Sequence, residues 1–530
     1  MKVRKFSPIL ENMFLSENEL KQSTEWKVVP DIWKTASEKF GILTTGAINV
    51  VRGSRSSVDE LLKIYTHSDS VALVVDNPEM YNRIAKTFHS HTDVRFIILL
   101  WGEKSSITSE VIDGLPIYSY MEIIDLGNDS RMTFLHSHEA RDQYLYEPIK
   151  SDDVATLVYT SGTTGNPKSV MLTHKNLLHQ ILNLRDLVPF VPEDIFLTML
   201  PPWHAYERAA EYFALAFGCK LVYTTVKNMK EDLKRYKPHY LVSVPLVYES
   251  LYSGVLKQID KSGTAHKLIV LSFLKISLAY KEARRIYEGE CLTKNREQPS
   301  YVVSLLDWLW ARIFAILLSP LHLLARKFVY TKIHTSIGIS KAGLSGGGSL
   351  SPHIDKFFEA IDLRIQNGYG LTETSPVVAS RNPKCTVLGS VGLPIRYTEI
   401  KVVDAETNEV LPHGSKGIVK VKGPQVMKGY YKNPMATQQA IDENGWLNTG
   451  DLGWIVPHHS VGQSRNASGV IVLEGRAKDT IVLSSGENVE PSEIEEAAMR
   501  SNLIQQIVVI GQVCNTCFYV RLYIYFPNVF

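Results

Sequence analysis

Short apolar runs alternate with amphipathic segments along the first part of the chain. Residues 71–75 and 95–100 are apolar runs of strand length, and residues 58–67 and 80–89 carry apolar side chains at helical spacing. Strands that alternate with helices are typical of a parallel sheet with helices packed on its faces. The pattern therefore predicts layered α/β structure over the first several hundred residues.

The pattern changes after about Val391 to short β runs interrupted by glycine and proline, at residues 399–403, 417–421 and 469–473. Such runs predict a small β subdomain. The predicted fold class is therefore α/β: a large N-terminal domain of layered α/β subdomains plus a small β subdomain, followed by a truncated small α+β C-terminal domain. The predicted boundaries are 1–395 for the N-terminal domain, 396–474 for the β subdomain, 475–512 for the hinge and the start of the C-terminal domain, and 513–530 for an aberrant tail.

A helical insert is predicted at about residues 265–335, and it contains the strongly apolar stretch 313–325. This stretch is shorter than the roughly 20 apolar residues that span a bilayer. We favour a pair of buried helices. The alternative is peripheral membrane contact through residues 301–330, because Trp308 and Trp310 beside Arg326 and Lys327 are typical of a helix that lies on a membrane surface.

Composition narrows the class of protein further. A chain of 530 residues with 45% hydrophobic and 21% charged residues is expected to be a multidomain globular protein. Its formal net charge of +2 lacks the basic excess of a nucleic-acid-binding protein, so we expect no nucleic-acid partner. The five cysteines favour a reducing compartment, and the Cys514/Cys517 pair has no further cysteine or histidine after it to complete a metal site.

The first candidate for chemistry is the loop at residues 159–170, which reads Tyr-Thr-Ser-Gly-Thr-Thr-Gly-Asn-Pro-Lys-Ser-Val. Glycine lets main-chain N–H groups approach an anion, hydroxyl groups add donors, and a lysine adds a positive charge suited to phosphate. The loop is not the P-loop of nucleoside triphosphatases, because Pro167 rather than glycine precedes Lys168. The apolar run 154–159 and the helix-like segment 176–187 predict a strand, a phosphate-binding loop and a helix in that order.

Two more glycine-rich motifs follow. Residues 342–349 offer backbone that can lie against a flat ring, and residues 367–374 combine an aromatic ring, hydroxyl groups and a carboxylate. Tyr369 can stack on adenine, Thr372 can bind phosphate and Glu373 can hold Mg²⁺. Taken alone, Glu373 would be an ordinary surface or capping carboxylate, so this interpretation depends on the motifs occurring together.

The last two motifs supply a carboxylate and a basic pair. Asp451, in the glycine-bounded turn predicted at residues 449–453, is suited to accept from both ribose hydroxyls, and Arg476 of residues 474–479 becomes a second ribose contact. In isolation, an Asx turn and a surface ion pair are the commoner interpretations of these two residues. The number and order of the motifs favour the nucleotide site.

Together the motifs resemble those of the acyl-adenylate-forming (AMP-binding) superfamily, which includes acyl-CoA synthetases, luciferases and nonribosomal adenylation domains. The resemblance covers almost the whole chain. It identifies residues 159–170 with the phosphate loop, 201–208 with the aromatic motif at the acyl site, 367–374 with the adenine and magnesium motif, 449–453 with the ribose motif, and 474–491 with the hinge and the loop after it. Within the phosphate loop, Ser169 stands where the family usually has glycine.

The resemblance implies a set of functional residues. The implied nucleotide-binding residues are Thr160, Ser161, Gly162, Thr163, Thr164, Gly165, Lys168, Gly346, Gly347, Gly348, Gly368, Tyr369, Gly370, Thr372, Asp451 and Arg476. The implied catalytic residues are Lys168, Thr163, Thr164, His204 and Glu373, with Glu373 and Thr164 as the Mg²⁺ ligands. Lys478 occupies the hinge position, and Gly486 lies in the loop that reaches the acceptor thiol.

Four shorter strings, at residues 50–55, 101–104, 304–310 and 475–481, narrow the resemblance to plant long-chain acyl-activating enzymes described as chloroplast acyl-[acyl-carrier-protein] synthetases. This subgroup implies ATP and Mg²⁺ as cofactors, a long-chain fatty acid as substrate, and the phosphopantetheine thiol of acyl carrier protein as acceptor. CoA is the alternative acceptor. Chloroplast localisation is implied by the resemblance alone.

The implied reaction has two steps and needs no side-chain nucleophile. A fatty-acid carboxylate attacks the α-phosphate of ATP to give acyl-AMP and pyrophosphate, and a thiol then displaces AMP to leave a thioester. Catalysis of this kind depends on positioning and charge stabilisation. We therefore expect His204, between Trp203 and Tyr206, to shape the pocket rather than to act as a general base.

Two departures from the family pattern leave a third interpretation open, a catalytically impaired binding-only or non-functional isoform. An internal segment of several dozen residues is expected to be missing after Gly41, and the tail after Gln512 matches nothing expected of the family. Translation into a retained intron would explain such a tail. The lysine that the family uses for adenylation then has no counterpart here.

Overall fold

The computed structural model describes residues 46–479 apart from 54, 93, 109–114, 137–148 and 161–167. Beyond residue 479 it describes 481–482, 488–489, 491, 494–495, 498, 504, 506–513 and 518–525. The strands are β1 Asn49–Val50, β2 Ala72–Val75, β3 Phe96–Leu99, β4 Ile117–Ser119, β5 Val154–Thr160, β6 Lys168–Thr173, β7 Ile195–Thr198, β8 Lys220–Tyr223, β9 Tyr240–Ser243, β10 Ala342–Ser345, β11 Arg364–Gly370, β12 Val377–Ser380, β13 Leu393–Pro394, β14 Glu399–Val403, β15 Gly417–Lys422, β16 Gly429–Tyr430, β17 Leu447–Ile455, β18 Ile471–Arg476, β19 Ile481–Val482, β20 Asn488–Val489, β21 Gln506–Val513 and β22 Phe518–Tyr525. The helices are α1 Val58–His67, α2 Pro78–His91, α3 Tyr120–His136, α4 His174–Asn183, α5 Ala205–Ala216, α6 Met229–Tyr236, α7 Pro245–Asp260, α8 Thr264–Glu288, α9 Tyr301–Ala325, α10 Thr331–Ile337, α11 Pro352–Ala360 and α12 Pro434–Ala440.

The largest sheet has the strand order β13-β12-β11-β10-β9-β7-β8. Strands β8, β7, β9, β10 and β11 are parallel to one another, whereas β12 pairs antiparallel with both β11 and β13. Their buried side chains form apolar clusters with the helices on both faces, among them Leu241 and Val242 of β9. The carboxyl ends of the parallel strands therefore meet at one edge, which is where open α/β sheets bind ligands.

A smaller parallel sheet, β2-β3-β4, packs against α1 and α2. The strands β2 and β3 and the helices α1 and α2 lie where the sequence pattern predicts them, although the ends of β2, β3 and α2 differ by one or two residues, and β4 was not predicted. Helix α2 begins earlier because Asn77 caps it, accepting from the N–H of Met80, with Pro78 at the first helical position.

The phosphate-loop region differs from the expected strand, loop and helix. The loop is followed by a second strand, β6, and α4 begins only after it. Strand β6 pairs with β5 on one edge and with β16 on the other. The helix predicted at residues 176–187 is present as α4 and the 3₁₀ turn Leu184–Asp186 after it. The sequence missed β6, which lies between the loop and this helix and is hydrogen-bonded to other strands at both edges.

The β subdomain is an antiparallel sheet with the order β14-β15-β17-β18. Asp451 does not lie in a turn, as the glycines around it suggested, but inside β17, where it is paired with Arg476 of β18. A register irregularity between Asp451 and Gly453 shows where the glycine-rich sequence disturbs the ladder. Pairing on both sides of β17 outweighs the local preference of Thr-Gly-Asp for a turn.

The insert contains the long helices α8 and α9, but α9 is not buried. The helical segment Tyr301–Ile337 contains an 18-residue stretch that is apolar enough to cross a membrane, with a mean hydropathy of 1.7, yet only 11% of that stretch is buried. Trp310, Ile316 and Leu317 are each more than 60% exposed. The favoured interpretation of two buried helices was therefore wrong for α9, because its large apolar side chains point away from the protein.

Strands β21 and β22 form an antiparallel hairpin in which Val513 is paired with Phe518. The second strand belongs to the segment that the sequence marks as an aberrant tail. The tail boundary itself stays a prediction.

Candidate active site

Lys168 lies at the base of the predicted phosphate loop. It is paired with Thr160 across the β5–β6 hairpin, so both ends of the loop are fixed by the sheet. Its ammonium nitrogen lies 4.9 Å from the centre of the Tyr430 ring, a cation–π contact. The predicted site residues Ser161, Gly162, Thr163, Thr164 and Gly165 lie outside the described residues.

The segment 427–431 joins the phosphate-loop hairpin to the predicted magnesium motif. The backbone N–H groups of Lys428 and Tyr431 donate to Met171 and Ser169 of β6, at 3.0 and 2.8 Å. The hydroxyl of Tyr430 donates to Glu373 Oε1 at 2.9 Å, and the N–H of Met427 donates to the Glu373 carbonyl at 2.8 Å. Lys168 and Glu373 therefore share one tyrosine as neighbour.

Burial changes the pKa of Tyr430. Its pKa is raised first by burial and then by the neighbouring charge of Glu373, so the phenol stays protonated and remains a donor. Glu373 itself lies half-buried in the short 3₁₀ turn Thr372–Thr374. One Glu373 oxygen accepts a hydrogen bond from Tyr430. The other lone pairs of the carboxylate are available for a cation.

Tyr369, Asp451 and Arg476 form a second connected group. The Tyr369 hydroxyl donates to Asp451 Oδ2 at 2.6 Å, and Arg476 Nε donates to Asp451 Oδ1 at 3.1 Å. Burial raises the pKa of Asp451, while the bond from Tyr369 and the charge of Arg476 oppose that shift. Burial and then the Asp451 charge raise the pKa of Tyr369 well above its ordinary value. Three residues from three separate motifs are thus joined by direct contacts.

A row of buried polar atoms crosses the carboxyl ends of β9, β10 and β11. Ser345 is paired in register with Ser243 on one side and with Asn367 on the other. The hydroxyl oxygens of both serines and the side-chain oxygen of Asn367 are buried without a hydrogen-bond partner in the described part of the chain. A buried polar atom is costly when unpaired, so this row is suited to bind a polar ligand.

The glycines of residues 346–348 follow β10 directly. A Cβ atom at Gly346 would lie 3.2 Å from Cζ of Tyr206, and Gly347 has a φ of +78° that favours glycine. On β11, a Cβ at Gly370 would lie 2.2 Å from the carbonyl oxygen of Pro376, so only glycine fits there. Gly368 has no comparable crowding, and Thr372 is half-buried beside Glu373.

The aromatic motif at residues 201–208 forms the start of α5. His204 caps this helix, because its Nδ1 accepts from the N–H of Tyr206 at 3.2 Å. The imidazole is exposed, although partial desolvation lowers its pKa. Trp203 covers Gly53, where a Cβ would lie 2.6 Å from the indole ring. A capping role agrees with the expectation that His204 shapes the pocket.

Glu207 and Arg208 of the same helix are buried. Burial, and then the charge of Glu211, raises the pKa of Glu207 to about 9. The Thr198 hydroxyl donates to Glu207, and Arg208 donates to the side chains of Thr156 and Asn49. These polar contacts fix α5 against β5 and β7.

Only one of the two residues predicted for the thiol half-reaction lies within the described residues. Lys478 is exposed in the turn after β18, and Gly486 lies outside the described residues. Close to the hinge, the N–H of Ala477 donates to the Gly450 carbonyl at 2.9 Å.

Mg²⁺ fits the residues at this site. In the described part of the chain, no group of three or more histidines, cysteines and carboxylates is placed to hold a metal. Mg²⁺ is usually bound by one or two carboxylates plus substrate phosphates, so the half-buried Glu373 is a sufficient protein ligand.

Sequence reasoning missed Tyr430 and Ser243. Tyr430 belongs to the string Gly-Tyr-Tyr at residues 429–431, whose glycine and paired aromatic residues were the available signal. Ser243 had none, because its importance comes from lying beside Ser345 across two strands.

Comparison with known proteins identifies the class. The AMP-binding enzyme family matches residues 29–431, and the AMP-binding enzyme C-terminal domain matches residues 478–517. The chain belongs to the AMP-binding enzyme family, which confirms the family that the motifs predict.

Two relatives from Arabidopsis thaliana share more than half of their aligned residues with this chain. Probable acyl-activating enzyme 16, chloroplastic, is 57% identical over 96% of this chain and 78% of its own length. The long-chain-fatty-acid–[acyl-carrier-protein] ligase AEE15, chloroplastic, is 56% identical over the same shares. Both alignments run over 569 positions, although this chain has 530 residues, so these relatives have residues where this chain has none.

A solved structure confirms the fold class. The O-succinylbenzoate coenzyme A synthetase of Bacillus subtilis, in complex with ATP and magnesium ion, has a TM-score of 0.56 at 18% identity. The match covers 96% of this chain and 84% of that one. The α/β architecture predicted from the pattern is therefore confirmed.

Proposed function

We propose that the protein activates a long-chain fatty acid with ATP, forming acyl-AMP and pyrophosphate, and then transfers the acyl group to the phosphopantetheine thiol of acyl carrier protein. The observation that carries this proposal is the direct contact between motifs far apart in sequence. Tyr430 links Lys168 to Glu373, and Asp451 links Tyr369 to Arg476. The similarity to the Arabidopsis acyl-carrier-protein ligase supports the acceptor.

Each part of the site has a role in this reaction. Lys168 and the phosphate loop bind the β- and γ-phosphates, and the carboxylate of Asp451 accepts from the ribose hydroxyls. Tyr369 is the platform for adenine, and Ser243, Ser345 and Asn367 offer polar atoms to the nucleotide. Glu373, with Thr164, would hold Mg²⁺, which supplies charge neutralisation at the phosphates when bound. The other contribution of the protein is to position the fatty-acid carboxylate and the α-phosphate of ATP for reaction.

The aromatic motif that contains Trp203 is the acyl site in this proposal, as the family resemblance implies. The exposed His204 fixes the first turn of α5 in this motif rather than removing a proton, since a fatty-acid carboxylate is already ionised at neutral pH.

The proposal extends to a chloroplast location and to peripheral membrane contact through residues 301–330. The relatives that carry the word chloroplastic in their names support the location. The exposed apolar side chains of α9 support the membrane contact. Imaging of a full-length fluorescent fusion tests the location, and a cytosolic signal would contradict it.

The decisive experiment incubates the purified full chain with ATP, Mg²⁺ and palmitate, and offers acyl carrier protein and CoA in separate reactions. Pyrophosphate release and a thioester on acyl carrier protein are the expected results. A thioester on CoA alone would favour a long-chain acyl-CoA synthetase instead. Omission of palmitate is the control for ATP hydrolysis.

A binding-only isoform is a second candidate, favoured by the longer alignments with the two relatives. In that case ATP raises the melting temperature of the protein, but neither pyrophosphate nor thioester is formed. The same assay therefore separates the candidates.

The hinge position of Lys478 has its own test. Lys478→Pro restricts the backbone at a turn between the two predicted domains, so it should lower thioester formation more than pyrophosphate exchange. Lys478→Ala is the control. Lys416→Pro, in the β subdomain, is not a suitable control because it would disturb a neighbouring strand. Equal loss in both half-reactions would contradict the hinge role.

A further inference from the structure

Helix α9 turns its small and polar residues toward the protein and its large apolar residues outward. The buried residues of this helix are Ser304, Ala311, Ala315, His322 and Ala325. The exposed residues include Leu306 at 60%, Trp310 at 66% and Leu317 at 66%. A helix on a water-facing surface has the opposite arrangement. An apolar face of this size indicates a contact surface for a protein or a membrane.

Polar contacts hold α9 in this orientation. His322 is hydrogen-bonded to the Ser277 hydroxyl at 2.9 Å and to Asp362 Oδ2 at 3.1 Å. Just after the helix, Tyr330 donates to Ser277 at 2.5 Å and to the carbonyl of Phe273 at 3.1 Å. Rotating the apolar face inward would break these buried bonds, which are costly to leave unpaired.

The neighbour of α9 makes a transmembrane arrangement unfavourable. Helix α8 packs along the buried side of α9 and carries Lys281, Arg284, Arg285 and Glu288 in its second half. Charged side chains are costly in the hydrocarbon core of a bilayer. Because these charges lie beside α9, we expect this helix of 25 residues, about 37 Å in length, to lie along a membrane surface rather than to cross the membrane.

An open cavity of about 440 Å³ lies where the end of α8, the first half of α9 and the loop with Arg465 meet. Arg284 is paired with Glu288 at 2.8 Å, and Arg465 donates to backbone carbonyls. Arg312 stacks over the Trp308 ring at 4.9 Å and has no hydrogen-bond or ion-pair partner within the described residues. Two carboxylates, Glu288 and Glu290, also line the cavity and oppose an anion, and Glu288 accepts from Arg284. Arg312 is thus a cation left available at the margin of the apolar face.

We propose that the apolar face of α9 inserts into one leaflet of an anionic bilayer with its axis in the membrane plane, and that the cavity beside Arg312 takes the phosphate of a lipid headgroup. This deepens the membrane contact of the proposed function and rests on it. Tryptophan and arginine at the margin of an apolar face favour a lipid surface over a second copy of the chain.

The test is flotation of the purified full chain with vesicles of phosphatidylcholine alone or of phosphatidylcholine with phosphatidylglycerol. The protein should float with both and more strongly with the anionic vesicles. Arg312→Gln should lower the partition coefficient on anionic vesicles about fivefold, the effect of one basic side chain near the surface. Leu306→Ser with Trp310→Ser should abolish flotation on both. Arg235→Gln is the matched control, because Arg235 stacks on Tyr236 at 5.3 Å elsewhere on the surface.

Three results would overturn the proposal. The protein could fail to float, Arg312→Gln could behave like Arg235→Gln, or light scattering could show a dimer that Trp310→Ser dissociates, which would make a second copy the occupant. Resistance to carbonate extraction would overturn the in-plane arrangement. Thioester formation with palmitate delivered on albumin, without vesicles, is measured in parallel for every variant, so that loss of the ligase reaction is distinguished from loss of membrane binding.

Discussion

The nucleotide cleft and the α8–α9 hairpin differ in which side chains they bury and which they expose. In the cleft, polar side chains are buried and joined to one another, as in the Tyr369–Asp451–Arg476 group. In the hairpin, large apolar side chains such as Trp310 and Leu317 are exposed while alanines are buried. A polar ligand needs buried partners, whereas an apolar medium needs an exposed apolar face. The cleft is therefore suited to a polar ligand, and the exposed face of the hairpin is suited to the lipid surface that we propose for it.

The largest effect is expected from the cleft. Glu373→Gln keeps the bond from Tyr430 but removes the negative charge that Mg²⁺ requires, so pyrophosphate release should fall about 10²–10³-fold, as for the loss of one stabilising group in other enzymes. Glu399→Gln, on an exposed strand position, is the control. Equal rates of pyrophosphate release in the two variants would contradict the role of Glu373 in the site.

The buried carboxyl group of Glu207, on α5, predicts a pH dependence of stability. Because the pKa of Glu207 is raised to about 9 in the folded state, from an ordinary 4.5, its stabilising contribution is present below pH 4.5 and is lost as pH rises toward 9. Between these values the wild type should lose up to about 1.4 kcal/mol per pH unit relative to Glu207→Gln. Urea unfolding of both proteins at pH 6 and pH 9 measures this, and parallel pH profiles would contradict it.

The hairpin can be tested by reversing its pattern. Ala315→Leu places a large side chain on the packed face and should lower the free energy of unfolding by about 1–3 kcal/mol. Leu317→Ser, two residues further along on the exposed face, should change it by less than about 0.5 kcal/mol. Chemical denaturation measures both. If Leu317→Ser were the more destabilising, the outward orientation of the apolar face would be wrong.

The smallest effect separates the two roles of Tyr369. Tyr369→Phe keeps the ring but removes the hydroxyl that donates to Asp451, so stability should fall by about 1 kcal/mol while KM for ATP changes little. Tyr397→Phe is the control, because Tyr397 is 74% exposed. A large rise in KM with unchanged stability would show that the hydroxyl, rather than the ring, contacts the nucleotide.

The sequence predicts much of this protein but not its contacts. The residue types of the nucleotide motifs are visible in the chain, and so are strands such as β2, β3 and β14. The partnership of Tyr430 with Lys168 and Glu373 is not visible, because it joins segments that are far apart in sequence and is made by pairing of β16 with β6. The strand β6 was missed because the hydrophobic pattern of a six-residue strand next to a glycine-rich loop is a weak signal of secondary structure.

The sequence by itself determined the AMP-binding family, the α/β class and the chemical types available at the site, since motif order, alternating strands and helices, and side-chain charge are properties of the chain alone. Only the tertiary structure decided that Asp451 lies in a strand rather than a turn and that α9 exposes its apolar face. The physical reason is that the hydrophobic pattern shows which face of a segment is apolar. Whether that face meets the core or the surroundings depends on what packs against the opposite side, here the Ser277–His322–Asp362 bonds that hold α9 outward.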